Sequence, residues 1–169
     1  ICFNKCDLVS EEEKENLQKI YAPAGYDILF TSVKTGENID RLKALLAEKT
    51  TTVAGPSGVG KSSLINELQT DVRMQTGAIS DKIGRGKHTT RHSEIISIGQ
   101  DTYIMDTPGF SSMDLPGFEK EDLWTCYPEF VPYEPECRFI GCSHIGEPDC
   151  GVKNALAEGK ISRVRYDNY

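Results

Sequence analysis

The sequence has no apolar run that approaches the roughly 20 residues needed to span a membrane as a helix. It also lacks the charged, apolar and small-residue pattern of a secretory signal peptide at its start. Basic residues are the minority charge, since 19 Lys and Arg stand against 26 Asp and Glu. We therefore expect a cytoplasmic protein with no membrane partner, and the acidic balance argues against uniform affinity for nucleic acid.

The 169 residues show no internal repeat and are enough for one medium domain with a small appendage. The chain begins at Ile1 rather than Met, and its first apolar stretch has almost no lead-in. We expect from this beginning that an N-terminal part of the protein is absent from the sequence. The expected oligomeric state is a monomer.

Stretches typical of strands alternate with stretches typical of helices up to about residue 110. Strands are predicted at ICFN, YDILFTS and TTTVAG, and a hairpin is predicted to join SEIISIG to DTYIMDT. Helices are predicted at NIDRLKALLA and KSSLINEL, and a capping box of Ser10 and Glu13 predicts another from Glu11 to about Tyr21. Residues 70–92 are predicted to form a long loop. The alternation indicates an α/β fold with a mainly parallel sheet.

Residues 55–62, GPSGVGKS, match the phosphate-loop pattern G-x-x-x-x-G-K-[ST] in full. Glycines in such a loop let backbone N–H groups surround phosphate oxygens, and the following helix points its positive end at the same anion. Lys61 would contact the β and γ phosphates and Ser62 would bind Mg²⁺. The alternative is a glycine-rich turn that matches by chance, which a preceding strand and a following helix disfavour. The predicted phosphate-binding residues are Gly55, Pro56, Ser57, Gly58, Val59, Gly60, Lys61, Ser62 and Ser63.

Residues 4–7, Asn-Lys-Cys-Asp, match the N-K-x-D pattern that reads guanine. The Asp7 carboxylate can accept from both the N1–H and the amino group of guanine, a donor pair that adenine does not offer. Asn4 would contact N7, and the Lys5 stem would lie along the ring. A strand-end turn is the alternative explanation of this short motif. A second base-side loop is predicted at Ser32-Val33-Lys34, where the Val33 N–H would donate to guanine O6.

The segment DTPGF supplies a D-x-x-G motif at the end of a predicted strand. Asp106 would hold the Mg²⁺ shell, and the Gly109 N–H would contact the γ-phosphate. The segment GRGKHTT lies between this motif and the phosphate loop, and it can offer Thr90, or with less support Thr89, to Mg²⁺. These threonines can also be read as β-forming residues that lead into the next strand.

In Ras-like proteins the residue directly after D-x-x-G is a glutamine that orients the attacking water, and this sequence has no glutamine there. Phe110 stands there and cannot hydrogen-bond to water. His88 is the best candidate within this chain for that task, because an imidazole can position or deprotonate water near neutral pH. The alternatives are a His88 that is merely a solvated loop residue, or a catalytic group supplied from outside the chain.

The character of the sequence changes after Phe110, where prolines interrupt the periodic pattern and three cysteines cluster. Cys137, Cys142, His144 and Cys150 offer three thiolates and one imidazole, which is a closed tetrahedral set for one structural zinc ion. The alternative is a group of buried free thiols. We expect a helical zinc-binding domain at residues 113–169, after a nucleotide-binding domain at residues 1–112.

The order of these motifs resembles a GTPase with its sequence rotated, because the base-reading loops come before the phosphate loop. With GPSGVGKSSLIN, GRGKHTTRH, DTPGF and CRFIGCSHIGEPDCGVKNAL, the chain resembles the circularly permuted, small-subunit-dependent GTPases of the RsgA/YjeQ family. The resemblance implies a circularly permuted P-loop GTPase domain followed by a small zinc-binding domain. It also implies an N-terminal OB-fold that binds RNA and is absent from this sequence.

The resemblance further implies hydrolysis of GTP to GDP during late assembly of the small (30S) ribosomal subunit, with 16S rRNA as a partner and with Mg²⁺ and zinc as cofactors. Two other functions stay open, namely a GTP-gated RNA-binding module and a GTPase that acts on another RNA or protein. Because residues 111–136 directly follow the γ-phosphate motif, we expect the nucleotide to influence the mobility of the zinc-binding domain.

Overall fold

A computed structural model describes residues 1–76, 94–106 and 119–169 of the chain. The chain groups into two compact units. One unit consists of Cys2–Val9 and Leu29–Met113, and the other of Ile1, Ser10–Ile28 and Asp114–Tyr169. Among the helices of the described residues, none is sufficiently long and apolar to cross a lipid bilayer.

The first unit contains the predicted α/β arrangement of strands. Strand β1 pairs with β2 in parallel, β3 pairs with β5 in parallel, and β4 forms an antiparallel hairpin with β5. The strands are β1 Cys2–Asn4, β2 Leu29–Thr31, β3 Thr50–Val53, β4 Glu94–Gly99 and β5 Thr102–Asp106. The α/β prediction and the hairpin are therefore confirmed, and the described strands form a two-stranded and a three-stranded sheet.

The described part of this unit also contains the α-helices α2 at Ile39–Leu46 and α3 at Lys61–Thr76, and a short 3₁₀ helix at Cys6–Leu8. The apolar residues of α2, α3, β4 and β5 share one core because strand alternation and helical spacing place them on facing surfaces. The buried members are Ile39, Leu64, Ile65, Leu68, Ile96, Ile98 and Ile104.

The prediction of a loop from residue 70 was wrong for its first part, because α3 continues to Thr76. The segment TDVRMQT contains no glycine or proline, so nothing in it ends the helix before Gly77. Residues 77–92, the remainder of the predicted loop, lie outside the described residues.

The second unit contains α1, which runs from Glu11 to Tyr21 as predicted. The Ser10 hydroxyl accepts from the Glu13 N–H, and the Glu13 carboxylate accepts from the Ser10 N–H, which forms the predicted capping box. The other described elements of the unit are short 3₁₀ helices at Ala22–Ala24, Lys120–Cys126 and Val131–Glu136, followed by α4 at Gly151–Ala157 and α5 at Arg163–Asn168.

The second unit has its own core, in which Phe130 and Val152 are fully buried among tyrosines and cluster cysteines. Helix α4 lies so close to the chain at Tyr133 that a Cβ on Gly151 would come within 2.2 Å of the Tyr133 carbonyl oxygen. The boundary predicted between residues 112 and 113 lies outside the described residues and stays a prediction. Ser10–Ile28, which that prediction assigned to the first domain, groups with the cysteine-containing unit.

Candidate functional site

The phosphate-loop motif forms a turn between β3 and α3. Gly58 and Gly60 have φ values of +83° and +96°, which glycine adopts without steric cost. Helix α3 begins at Lys61, so the N–H groups of its first turn, which includes Ser62 and Ser63, point toward the loop. The Lys61 ammonium donates to the carbonyl oxygens of Gly55 at 2.6 Å and Pro56 at 2.9 Å. Lys61, which the motif predicts to bind phosphate, therefore binds two carbonyl groups of its own loop.

The base-reading motif is attached directly to this loop. The Asn4 Nδ2 donates to the Val59 carbonyl at 3.0 Å, and the Lys5 ammonium donates to the Gly58 carbonyl at 2.7 Å. A Cβ on Gly60 would lie 2.4 Å from Asn4 Nδ2. Glycine at position 60 is therefore needed for the approach of Asn4 as well as for the turn, and the two motifs form one site.

Asp7 is held as an ionised acceptor by the second base-side loop. The buried Ser32 hydroxyl donates to Asp7 Oδ1 at 2.7 Å, and the Lys34 ammonium lies 3.6 Å from Asp7 Oδ2. The Ser32 hydrogen bond is the main cause that lowers the pKa of Asp7, with a smaller contribution from Lys34. A carboxylate that is charged and oriented in this way suits the two donors of guanine. Val33, between these residues, packs its side chain against the core of the unit.

Thr31 belongs to this site and was missed from the sequence. Its hydroxyl donates to Asn4 Oδ1 at 3.3 Å, and Thr31 is fully buried at the end of β2. The amide of Asn4 is thus bonded at both ends, which fixes its orientation. The available signal was the register of two parallel strands, in which Asn4 is paired with Thr31.

The residues predicted for Mg²⁺ and catalysis are only partly described. Asp106 is the last residue of β5 and is paired with Val53, the last residue of β3. Its backbone therefore lies at the sheet edge from which the phosphate loop departs. His88, Thr90 and Gly109 lie outside the described residues.

The four predicted zinc ligands converge in the second unit. One donor atom each from Cys137, Cys142, His144 and Cys150 lies within 4.8 Å of the others. The Sγ atoms of Cys137 and Cys150 are 3.8 Å apart, and the His144 Nδ1 is 3.6 Å and 3.4 Å from them. Zinc–sulfur bonds of about 2.3 Å place tetrahedral ligand atoms about 3.8 Å apart. The chemistry and spacing of the donors therefore fit a four-coordinate metal.

Burial favours the neutral forms of Cys142 and His144 in this cluster. It raises the pKa of the Cys142 thiol to about 12, with neighbouring thiols contributing to the shift. Burial also lowers the pKa of His144, so its imidazole is neutral and can act as a ligand. A metal that binds here must displace thiol protons, which couples its affinity to pH.

Glu147, whose role was not predicted from the sequence, organises the loop between the ligands. Its carboxylate accepts from the Ser143 N–H at 2.8 Å, the Ser143 hydroxyl at 3.0 Å and the Ile145 N–H at 3.3 Å. These hydrogen bonds, the one from the Ser143 N–H first, lower the pKa of Glu147 to about 2. Lys153 of α4 donates to the Glu147 carbonyl at 2.8 Å. The loop is therefore pinned on both sides of His144.

A family model described as RsgA GTPase matches residues 1–116. The small ribosomal subunit biogenesis GTPase RsgA of Agathobacter rectalis is 74% identical over 169 residues, which are 100% of this chain and 56% of that protein. The chain thus spans little more than half the length of this curated relative.

Two solved structures are similar to almost the whole chain. The crystal structure of YjeQ from Thermotoga maritima matches with a TM-score of 0.75 and 36% identity, over 99% of this chain and 56% of that one. YloQ, described as a circularly permuted GTPase, matches with a TM-score of 0.69 and 31% identity, over 99% of this chain and 53% of that one. The rotated order of motifs thus corresponds to a known circular permutation.

Proposed function

Because the chain belongs to the RsgA GTPase family, we propose that it binds GTP and hydrolyses it to GDP and phosphate. The observation that carries this proposal is the direct attachment of the base-reading motif to the phosphate loop. Asn4 and Lys5 donate to the carbonyls of Val59 and Gly58, so base and phosphate recognition share one rigid site.

We assign guanine recognition to residues of two loops. Asp7 accepts from the base, Asn4 contacts N7, the Lys5 stem covers the ring and the Val33 N–H donates to O6. Ser32 keeps the Asp7 carboxylate oriented, and the exposed Lys34 adds positive charge beside it. Phosphates lie against residues 55–63, where Lys61 exchanges its carbonyl partners for the β and γ oxygens.

Mg²⁺ would be held by Ser62, Thr90 and Asp106. Held there with GTP, the ion would supply positive charge against the negative charge that develops during phosphoryl transfer. The Gly109 N–H contacts the γ-phosphate, and Lys61 and Thr90 support the reaction from the chain itself. Since Phe110 cannot orient water, His88 is proposed for that role.

We propose that the target is the small ribosomal subunit and its 16S rRNA, during late assembly. The name of the Agathobacter rectalis relative supports this target, and its 74% identity covers the whole of this chain. In this role the bound nucleotide acts as a timer, and hydrolysis releases the protein from the subunit. We propose a cytoplasmic monomer.

Zinc is proposed as the metal of the cysteine cluster, where it would be structural. Cys137, Cys142, His144 and Cys150 occupy all four tetrahedral positions, which leaves none for substrate or water. By binding one ion, these four side chains would hold together a unit whose described helices are short and whose core is small.

The experiment is GTP turnover measured with and without purified small subunits, for the parent chain and for Asp7→Asn. We expect the parent to hydrolyse GTP and the subunit to raise its rate. Asp7→Asn should weaken GTP binding by about 100-fold, because two charge-assisted hydrogen bonds are lost. It should improve binding of xanthosine triphosphate, whose second carbonyl can accept from the new amide.

Each part of the proposal can fail separately. Equal GTP affinity of parent and variant in titration calorimetry contradicts the base site. Hydrolysis without stimulation by the subunit contradicts the ribosomal target and favours another RNA or protein. Binding to the subunit that depends on GTP but not on turnover favours a gated RNA-binding module. His88→Ala should lower turnover with little change in GTP affinity.

A further inference from the structure

The ligand His144 has an unusual environment for a metal-binding histidine. Its Nδ1 faces the cysteine sulfurs, and its ring is fully buried. Within residues 1–76, 94–106 and 119–169, no hydrogen-bond partner reaches its Nε2. Metal-binding histidines ordinarily donate this second N–H to a carboxylate, carbonyl or water, which fixes the ring. Other contacts must therefore hold His144 in position.

The backbone of His144 also needs support. Its φ of +59° lies in the left-handed region, which costs a residue with a Cβ about 1 kcal/mol or more. Without external bonds this segment would relax, and the Nδ1 would move away from the sulfurs. The strain makes the position of the ligand depend on groups that bind the surrounding peptide units.

Glu147 binds the N–H groups on either side of His144, and two tyrosines near the end of the chain bind the carbonyls. The Tyr166 hydroxyl donates to the His144 carbonyl at 2.5 Å, and the Tyr169 hydroxyl donates to the Ser143 carbonyl at 2.8 Å. Together they hold both peptide carbonyls that flank the His144 α-carbon. Tyr166 lies in α5, 22 residues after His144, and Tyr169 caps the end of that helix, 26 residues after Ser143.

Aromatic rings complete the enclosure of the imidazole. The rings of Trp124 and Phe130 each lie edge-to-face with it, at 6.1 Å between centroids and 83° between planes. The ring of Tyr169 lies at 6.3 Å. These contacts restrict rotation of the imidazole, while the tyrosine hydroxyls restrict its backbone.

We propose that Tyr166 and Tyr169 are positioning residues of the metal site, and that they replace the carboxylate or carbonyl that ordinarily orients a zinc-binding histidine. This proposal rests on the assignment of zinc to the cluster. It makes α5 part of the metal centre although α5 contributes no ligand.

The test measures metal affinity in Tyr166→Phe, Tyr169→Phe and the double variant. Zinc is titrated in competition with a chromophoric chelator, and the visible spectrum of the cobalt(II)-loaded protein reports the ligand geometry. We expect each single variant to lose about 10-fold in zinc affinity and the double variant more, since outer groups of this kind typically contribute 10- to 100-fold. The cobalt bands should shift or weaken in the same order.

Tyr133→Phe is the matched control. Tyr133 packs against the same core, and its hydroxyl has no hydrogen bond to the described part of the chain. It should retain the parent affinity and spectrum. Unchanged affinity and spectrum in the double variant would overturn the proposal, as would an equal loss in Tyr133→Phe. A parent chain that binds no zinc would instead refute the metal assignment itself.

Discussion

Replacing Arg165 tests how the second unit is held together. Its guanidinium donates to both carboxylate oxygens of Glu129, through Nε at 2.5 Å and Nη2 at 3.2 Å. It also lies over the rings of Tyr127 at 4.6 Å and Tyr21 at 5.6 Å. Tyr21 is the last residue of α1, so this one side chain joins α1 to α5 and to the turn between the 3₁₀ helices Lys120–Cys126 and Val131–Glu136.

The expected loss follows from burial of the pair. The Glu129 side chain is 3% exposed and that of Arg165 is 17% exposed, so Arg165→Met leaves a buried carboxylate without its partner. Breaking a buried pair in this way costs about 3–5 kcal/mol. The two cation–π contacts add about 0.5–1 kcal/mol each, so the unpaired charge dominates.

Urea unfolding followed by Trp124 fluorescence measures this loss, with zinc saturating in every sample. Trp124 is the only tryptophan of the chain and packs against the core of the second unit, so it reports on that unit. With a slope of about 1–3 kcal/mol per molar urea, the midpoint should fall by at least about 1 M.

Two further variants separate charge from packing. Arg163→Met breaks an exposed pair with Asp167 and should cost less than about 1 kcal/mol. Arg165→Met combined with Glu129→Leu removes both charges and should recover most of the loss. A cost below about 1 kcal/mol for Arg165→Met alone would refute the reasoning, because it would mean that the carboxylate is solvated.

Three other predictions concern the two sites. Gly60→Ala should lower GTP affinity at least 10-fold by displacing Asn4. Gly25→Ala is the control, because Gly25 also has a positive φ of +76° but no atom lies within 4 Å of its Cβ. Equal GTP titration curves for Gly60→Ala and the parent would contradict the steric argument. Cys142→Ser should lower the zinc content measured by atomic absorption while GTP binding persists, and unchanged zinc would remove Cys142 from the ligand set. Glu147→Gln should lower the midpoint of thermal unfolding at pH 7. Because the pKa of Glu147 in the folded protein is lowered to about 2, the difference in midpoint from the parent should shrink only as pH falls below about 4.5. A difference that grows below pH 4.5 would contradict this linkage.

Local chemistry determined much that could be predicted from the sequence. The phosphate loop and the N-K-x-D motif are each a continuous stretch of sequence. The nucleotide binding that they predict depends on glycines, a lysine and a carboxylate at fixed offsets. The start of α1 was predicted because the capping box of Ser10 and Glu13 is a local hydrogen-bond exchange. The convergence of Cys137, Cys142, His144 and Cys150 was predicted because this donor combination is one of the few that are chemically suited to zinc.

The C-terminal end of α3 was predicted too early. Residues 70–76 are mostly polar, which is typical of loops, yet they contain no glycine or proline to end a helix that has already begun. The predicted influence of nucleotide on residues 111–136 stays a prediction, since residues 107–118 lie outside the described part of the chain.

Only the tertiary structure decided which distant residues support the sites. The contact of Gly60 with Asn4, the bond from Thr31 to Asn4 and the grouping of α1 with α5 join segments far apart in the chain. The bonds from Tyr166 and Tyr169 to the carbonyls of His144 and Ser143 are of the same kind. Such contacts carry no fixed spacing in the sequence, because they depend on how strands and helices pack after they form.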